Sequence, residues 1–268
     1  MDDTNKTPSR AKSADGTLIA YEQRGEGPPV VLVGGALCTA ASDAPLASLL
    51  ASRFSVFTYD RRGRGASGDT APYAVEREVE DLAAVIAQAG GEASVHGMSS
   101  GGALALRAAC DGLPIERLSV YEPPFETSPA VPAADGEWAA YGVRLRELVA
   151  EGRLADALAL FLRTAGMPAQ TLAEMRLAPM WSDLEAVAHT LVYDREVLGD
   201  GRAPLERLRS VDQRVMVVDG GASPGWLRET ARTVSDSLPR GRHCTLTGQT
   251  HEVAPHVLAP VLEEFLAG

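Results

Sequence analysis

The chain has 268 residues, a formal net charge of −11 at pH 7 and a hydrophobic content of 45%. This length and content suffice for one large domain with a buried core, and they exclude a disordered chain. The acidic charge argues against nucleic acid or an anionic membrane as a partner, because both bind basic surfaces.

The cysteines and the start of the chain indicate the compartment. Cys38, Cys110 and Cys244 are odd in number and widely spaced. They fit neither a disulfide framework nor a zinc site, and they indicate a reduced, cytoplasmic protein. The polar start MDDTNKTPSR lacks the apolar segment of a signal peptide. Without a run of about 18 apolar residues, we expect no transmembrane helix.

The first half of the chain alternates between strand and helix patterns. Residues 18–24 are predicted to pair with residues 10–14 as an antiparallel edge. Continuous apolar runs follow, which are typical of strands buried on both faces of a parallel sheet. These predicted strands are 29–35, 54–60, 93–98 and 118–124. The predicted helices among them are 74–90 and 100–111.

The pattern changes after residue 125. Residues 123–136 are rich in proline and alanine and are predicted to form a linker. The predicted helices that follow are 137–151, 153–165, 169–177 and 182–198. Alternation then resumes, with predicted strands 215–221 and 242–247 and predicted helices 225–238 and 253–267. We therefore predict an α/β class fold: a doubly wound, mostly parallel sheet built from residues 1–125 and 206–268, with a helical insertion at 126–205.

A serine motif lies at one predicted strand end. GMSSG at 97–101 matches the pattern G-x-S-x-G between a predicted strand and a predicted helix. In this context the pattern is typical of a nucleophilic serine on a sharp turn, where small neighbours let strand and helix approach. Ser99 fits this frame, whereas Ser100 does not, because Met98 would then occupy a glycine position. The alternative is a glycine-rich turn without chemistry.

A serine nucleophile requires a general base. His251 lies in a predicted loop after the last strand, and the C-terminal ends of strands are where ligands bind in open α/β sheets. We expect His251 to reach Ser99 and to act as this base. The alternative is a solvated or capping histidine.

Acyl transfer also requires N–H donors for the oxyanion that develops on the substrate. One expected donor is the backbone N–H of Ser100, the residue after the nucleophile. The second is the N–H of Ala36, which follows two glycines at the end of the predicted strand 29–35. The alternative for Gly34 and Gly35 is a turn with no role in catalysis.

Four segments carry a resemblance to a known family. They are VLVGGA at 31–36, YDRRGRGAS at 59–67, GMSSGG at 97–102 and GQTH at 248–251. In this order they resemble the α/β-hydrolase superfamily over nearly the whole chain. The resemblance implies a serine–acid–histidine triad and a helical cap at 126–205. Many relatives carry His-Gly where this chain has Gly34-Gly35, so a supporting histidine is missing here.

The usual position of the triad acid is vacant. In most members of the superfamily the turn after strand seven has the pattern V-x-G-x-x-D-P, whose aspartate is the acid. Aligned on Gly220 and Pro224, this chain carries Ser223 there, and serine has no charge to stabilise an imidazolium. Asp219, near the end of the preceding strand, is an alternative acid, and a cap carboxylate such as Asp194 is another.

Some branches of the superfamily carry the acid after strand six, where this chain has Glu122 before two prolines. Certain haloalkane dehalogenases and the zearalenone-lactonase group belong to these branches. The latter group is similar at its S-S-G elbow, its Glu-Pro and its G-A-x-P turn. Glu122 is therefore our predicted triad acid, with a surface or capping glutamate as the alternative. The resemblance implies a lactone or ester substrate.

Other chemistries lack their residues. The elbow carries serine, whereas epoxide hydrolases and dehalogenases use an aspartate nucleophile. The sequence shows no H-E-x-x-H motif, clustered Cys and His, or nucleotide-binding motif, so we expect no metal or cofactor. We predict a serine hydrolase for a small-molecule ester or lactone. The alternatives are a cyclase, a lyase, a cofactor-free oxygenase or perhydrolase, or a ligand-binding protein without turnover.

Bulky side chains in the predicted cap are candidates for the walls of the substrate pocket. They are Trp138, Tyr141, Met180 and Trp181. The alternative is that these four residues form the core of the cap.

Overall fold

The computed structural model describes residues 8–127 and 136–268. Residues 128–135 of the predicted linker lie outside the described residues. The described residues contain one sheet with the strands β1 (Ser9–Lys12), β2 (Leu18–Arg24), β3 (Pro29–Val33), β4 (Ser55–Tyr59), β5 (Ala93–Met98), β6 (Ile115–Tyr121), β7 (Arg214–Gly220) and β8 (Gly241–Leu246). Their order is β1-β2-β4-β3-β5-β6-β7-β8. The pairs β1–β2 and β2–β4 are antiparallel and the others parallel, which confirms the predicted fold class.

Eleven α-helices occur in the described part of the chain. They are α1 (Ala40–Leu50), α2 (Val75–Gln88), α3 (Ser100–Cys110), α4 (Glu137–Ala150), α5 (Leu154–Thr164), α6 (Ala169–Met175), α7 (Met180–Ala186), α8 (Leu191–Val197), α9 (Leu205–Leu208), α10 (Gly225–Ser237) and α11 (Pro255–Ala267). None of them is long and apolar enough to cross a membrane. Helices α4–α8 follow one another between β6 and β7, and we call them the insertion helices.

Alternate strand residues pack on opposite faces of the sheet, as the two-residue repeat of a strand requires. In β3, Val31 and Val33 join a buried cluster that includes α2, α3 and α10. Val30 and Leu32 join a cluster that includes α1 and α11. Full burial of each such side chain stabilises the fold by about 1.5–3 kcal/mol. This burial on both faces explains the continuous apolar runs in the sequence.

The insertion helices have a hydrophobic cluster of their own. Its buried members include Leu145, Leu158 and Leu191, and it also contacts Ala36 and Leu37 in the loop after β3. The insertion helices therefore pack directly on the loop that was predicted to supply an oxyanion donor.

Several elements differ from the sequence prediction. The predicted helix 182–198 is interrupted by a 3-10 turn at Ala188–Thr190, where the Thr190 hydroxyl donates to the Val187 carbonyl at 2.7 Å. Such side-chain bonds compete with a continuous helix. Strand β6 ends at Tyr121 rather than at residue 124, because two prolines follow and proline lacks the N–H that a central strand requires.

Helix α1 was not predicted. It contains Pro45, and its apolar residues do not form the single stripe by which an amphipathic helix is recognised. Tertiary packing stabilises it, since Leu46, Ala47 and Leu50 are buried in the cluster with α11.

The close approach of α3 to β3 depends on Gly101. A methyl group there would collide with the carbonyl oxygens of Val33 and Gly34, which are backbone atoms that cannot rotate away. We expect Gly101→Ala to lower the free energy of unfolding by at least about 2 kcal/mol, since overpacking a dense core costs that much. Urea unfolding monitored by circular dichroism measures the loss.

Gly225→Ala is the matched control, because Gly225 also lies in the first turn of a helix and a methyl group there meets nothing within 4 Å. It should change the free energy of unfolding by less than about 1 kcal/mol. Equal losses in both variants would contradict the packing explanation.

Candidate active site

Backbone strain marks one edge of the sheet. The non-glycine residues with positive φ in the described part of the chain are Leu37 (62°), Ser99 (54°) and Glu122 (44°). They follow β3, β5 and β6, which are neighbouring parallel strands, so all three lie at the same C-terminal edge. Non-glycine residues rarely adopt a positive φ, because the backbone there is strained by the side chain. Residues with such strain cluster at functional sites. This edge is therefore the candidate active site.

Ser99 occupies a sharp turn between β5 and α3, with φ 54° and ψ −122°. The turn brings α3 so close to β5 that a methyl group at Gly97 would lie 2.6 Å from the Gly101 carbonyl oxygen. The Ser99 N–H donates to the Tyr121 carbonyl at 2.8 Å, which ties the turn to the end of β6. The geometry is that of a nucleophile elbow.

The structure brings together Glu122 and His251. His251 Nδ1 lies 2.7 Å from Glu122 Oε2, and the Gly220 N–H donates to Glu122 Oε1 at 2.8 Å. The glutamate side chain is fully buried, whereas the histidine side chain is 41% exposed. The carboxylate thus starts from β6, reaches the end of β7 and contacts the loop after β8.

Glu122 is held in its ionised form. Burial alone would raise the pKa of Glu122, but the hydrogen bond with His251, the nearby Ser223 hydroxyl and the Gly220 N–H outweigh it, and the pKa is lowered. An ionised carboxylate accepts hydrogen bonds only, so it requires the proton on Nδ1 of His251. Nε2 of the histidine is then free to accept a proton.

The loop that carries His251 is anchored on both sides of it. The Tyr121 hydroxyl donates to the Thr250 carbonyl at 2.6 Å. Tyr121 thus holds the residue before His251, just as the next residue, Glu122, holds His251 itself. The Gln249 side chain accepts from the Ala254 N–H at 2.9 Å, which closes the loop on the other side. The histidine is therefore positioned by backbone contacts as well as by Glu122.

Asp219, the alternative acid in the sequence, contacts a different histidine. It is fully buried near the end of β7, and its Oδ2 lies 2.8 Å from His243 Nε2 in the neighbouring strand β8. In the register of β7 and β8, Asp219 pairs with Thr245 and Val217 pairs with His243, so Asp219 and His243 are diagonal neighbours on one face of the sheet. Glu122, by contrast, follows the end of β6. The structure pairs Asp219 with His243 and Glu122 with His251.

Ser223, at the vacant acid position, lies beside the same carboxylate. Its buried hydroxyl makes no hydrogen bond of normal geometry within the described residues. A methyl group at Gly220 would lie 2.8 Å from Ser223 Oγ, and the Gly220 N–H is bonded to Glu122. The Ser223 hydroxyl therefore lies close to the Glu122 carboxylate.

The two expected oxyanion donors flank the elbow. A methyl group at Gly35 would lie 3.2 Å from the Ser99 Cβ, so the loop that carries Ala36 passes directly beside Ser99. Ser100 is the first residue of α3, and the N–H groups of a first helical turn have no partner within the helix. Both N–H groups thus come from backbone that adjoins Ser99.

A buried ion network that the sequence analysis missed supports this loop. Arg61 donates to Glu78 at 2.6 and 2.8 Å and to Asp194 at 2.8 Å, and Arg64 donates to Asp194 at 2.8 Å. The Ser100 hydroxyl also donates to Asp194, at 2.7 Å. Burial alone would raise the pKa of Asp194, but the two arginines and the hydroxyl outweigh it, and the pKa is lowered. Asp194 is thus an arginine counterion.

A signal for this network was present in the sequence. The segment YDRRGRGAS carries Arg61, Arg62 and Arg64 in a turn after a buried strand. Buried arginines require carboxylate partners, so distant acids should have been sought. Which acids pair with them is not readable from spacing, since Arg64 and Asp194 are 130 positions apart.

The four candidate pocket residues lie in the insertion helices in different settings. Trp181 is 8% exposed and belongs to the cluster of these helices, with Tyr141 packed partly buried against it. Trp138 stacks on Tyr141 with 5.4 Å between ring centroids, whereas Met180 is 52% exposed. Their contact with a substrate stays a prediction.

Comparisons with known proteins agree with the fold. A family model described as the alpha/beta hydrolase family matches residues 30–261. The solved structure of an alpha/beta hydrolase from Sphaerobacter thermophilus DSM 20745 shares 54% sequence identity and a TM-score of 0.89 with this chain. That match covers 96% of this chain and 99% of the other.

Two more distant structures share the fold. The enol-lactonase from Burkholderia xenovorans LB400 is 21% identical with a TM-score of 0.71, over 97% of this chain and 100% of its own. An esterase from Exiguobacterium antarcticum is 18% identical with a TM-score of 0.76, over 97% of this chain and 100% of its own. These identities show a common fold alone. The closer resemblance to the zearalenone-lactonase group stays a prediction.

Proposed function

We propose that this chain, which belongs to the alpha/beta hydrolase family, is a serine hydrolase that cleaves a carboxylic ester or lactone without a cofactor. The observation that carries the proposal is the contact of the buried Glu122 with His251, with 2.7 Å between Oε2 and Nδ1, at the same sheet edge as the strained Ser99 turn. A nucleophile, a base and a group that orients the base are the parts that acyl transfer requires.

In the first half of the reaction, Ser99 Oγ attacks the substrate carbonyl carbon as His251 Nε2 takes the hydroxyl proton. Glu122 holds the Nδ1 proton and stabilises the imidazolium that forms. The carbonyl oxygen becomes an oxyanion, which the N–H groups of Ala36 and Ser100 stabilise. When the tetrahedral intermediate collapses, the C–O bond to the leaving alkoxide breaks, and His251 gives the alkoxide its proton.

In the second half, water attacks the acyl-enzyme and His251 accepts a proton from it. The same N–H groups hold the second oxyanion. Collapse breaks the bond to Ser99 Oγ, His251 returns the proton to the serine, and the carboxylic acid leaves. With a lactone, the alkoxide and the acid are two ends of one product.

The substrate class rests on separate support. Two proteins with this fold are an enol-lactonase and an esterase, and both names agree with the ester or lactone expected from the sequence. We propose that the insertion helices act as the cap over the site, because their cluster contacts Ala36 and Leu37. The three cysteines are unpaired, which supports the proposed cytoplasmic location.

A fluorophosphonate probe tests the activated serine. We expect one covalent label on the native protein, located on Ser99 by peptide mass mapping, and none on Ser99→Ala. Turnover should follow on a panel of p-nitrophenyl esters and lactones. Absence of labelling would contradict an activated Ser99, and labelling without turnover on the panel would instead favour the cyclase, lyase, oxygenase or ligand-binding alternatives.

The identity of the acid is tested with two matched variants. Glu122 and Asp219 are both fully buried and lie 2.7 and 2.8 Å from a histidine nitrogen. Glu122→Gln should lower kcat by about 10⁴-fold, because an amide at this position stabilises the wrong tautomer of the histidine. Asp219→Asn should lower it by less than about tenfold, or about 1.4 kcal/mol. The reverse ranking in steady-state assays would assign the acid to Asp219.

A relocated acid provides a gain-of-function test. Because Ser223 lies beside the Glu122 carboxylate, Ser223→Asp should restore at least about tenfold of the kcat lost in Glu122→Gln. The control is Glu122→Gln with Ser223→Asn, which has nearly the same shape and no charge. If the two double variants have equal kcat values in the ester assay, the Ser223 position does not reach His251.

A further inference from the structure

The loop that carries Ala36 is held by a side chain from the loop after β4, the parallel strand beside β3. Arg64 Nη1 donates to the Gly35 carbonyl at 2.6 Å and contacts the Cys38 carbonyl at 3.4 Å. The Cys38 N–H also donates to the Gly35 carbonyl, at 3.3 Å, so residues 35–38 form a turn with Leu37 at positive φ. One guanidinium nitrogen thus bridges both ends of this turn.

From this contact, and resting on the proposed function, we infer that Arg64 is a positioning residue for the oxyanion site. It fixes the Gly35–Ala36 peptide so that the Ala36 N–H is directed at the substrate oxygen, and Asp194 of the insertion helices fixes Arg64.

The first step of the argument is the geometry of one peptide unit. The carbonyl of Gly35 and the N–H of Ala36 belong to the same planar unit, and in a trans peptide they point in opposite directions. The cis bond of the described residues is Ala71–Pro72, so the Gly35–Ala36 unit is trans. With its carbonyl bound to Arg64, the unit directs the Ala36 N–H away from the ion network. The Gly35 Cα itself adjoins Ser99, because a methyl group added at Gly35 would lie 3.2 Å from the Ser99 Cβ.

The second step is the rigidity of Arg64. Its Nε donates to the Thr190 hydroxyl at 3.1 Å and its Nη2 to Asp194 Oδ2 at 2.8 Å. Each of its three nitrogens therefore has a partner, and the side chain is 1% exposed. Thr190 and Asp194 belong to the 3-10 turn and to α8 of the insertion. The planar guanidinium makes these contacts at once, which the single ammonium of a lysine cannot do.

The third step is a second contact to the same site. Asp194 Oδ1 accepts from the Ser100 hydroxyl at 2.7 Å and from Arg61 Nη1 at 2.8 Å. Arg61 Nη1 also lies 3.3 Å from the Gly34 carbonyl. One carboxylate from the insertion thus fixes the residues that carry both expected oxyanion donors, through Arg64 on one side and Ser100 on the other.

Loss of the contact from Arg64 to the Gly35 carbonyl should lower kcat much more than it changes KM. A donor aimed at the oxyanion stabilises the transition state more than the bound substrate, so its misdirection lowers kcat and leaves KM nearly unchanged. Arg64→Lys keeps a positive charge beside Asp194 but cannot reach Thr190 and the Gly35 carbonyl together. We expect kcat for a p-nitrophenyl ester to fall about 10²-fold, the effect of losing one oxyanion donor, with KM changed less than about threefold.

The chain offers a matched control in the same loop. Arg62 is fully buried and forms a fork with Asp81 at 2.7 Å for both bonds, but it contacts α2 and Asp15 rather than the loop after β3. Arg62→Lys therefore removes a buried guanidinium and its bonds to a carboxylate two positions away. We expect a similar loss of thermal stability in both variants, with the large loss of kcat in Arg64→Lys alone.

Binding of a trifluoromethyl ketone separates positioning from general damage. Its tetrahedral adduct with Ser99 places an oxyanion in the site, so its affinity should fall with kcat in Arg64→Lys and stay within about threefold of the native value in Arg62→Lys. Equal losses of kcat and of ketone affinity in both variants would overturn the positioning role.

Crystal structures of the two variants test the inference apart from the proposed reaction. In Arg64→Lys the Gly35–Ala36 peptide should rotate, and in Arg62→Lys it should keep its direction. An unrotated peptide in Arg64→Lys would overturn the inference even in an active enzyme. A protein that shows the rotation but neither phosphonate labelling nor turnover would contradict the proposed function and leave the structural role of Arg64 supported.

Discussion

A buried carboxylate with two partners joins the parts of this site. Glu122 accepts from the Gly220 N–H at 2.8 Å and from His251 at 2.7 Å, so one side chain connects the ends of β6 and β7 with the loop after β8. An ionised group in the interior persists only when its hydrogen bonds outweigh the loss of water. The strained backbone at Glu122 is tolerated because it places the carboxylate within hydrogen-bond distance of both partners. The orientation of the His251 ring follows from its bond to this carboxylate.

A histidine and a carboxylate in contact do not by themselves identify a site. Asp219 and His243 form a second pair of nearly the same length, 2.8 Å, within neighbouring strands. The difference lies in the surroundings. The Glu122–His251 pair stands at the edge where Leu37, Ser99 and Glu122 itself all have positive φ, whereas Asp219 continues a regular strand. Backbone strain at adjacent strand ends is the more informative feature, because it costs stability and persists where a functional site requires that conformation.

Much of the fold and the central part of the candidate site could be predicted from the sequence, because their signals are local. Buried strands appear as apolar runs, and the turn at Ser99 appears as small residues around the serine. Glu122 was selected through the resemblance to a family, and its role as the triad acid stays a prediction. Helix α1 was missed because its stability comes from packing on α11. The bond from Arg64 to Asp194 was missed because the fold joins residues 130 positions apart, which composition and periodicity do not encode.

The burial of Asp194 beside Arg61 and Arg64 limits how freely the insertion helices could be exchanged for another segment. An insertion that met the rest of the molecule only through apolar contacts could be exchanged for another of similar shape, and substrate range could evolve by replacement of the whole segment. Here, removal of α8 would leave the buried positive charge of Arg64 without its carboxylate partner, at a cost of about 3–5 kcal/mol for a broken buried pair, and Arg61 would keep only Glu78. Replacement of side chains should therefore be tolerated better in α4–α7 than in the segment from Thr190 to Asp194, whose partners are the buried Arg61 and Arg64.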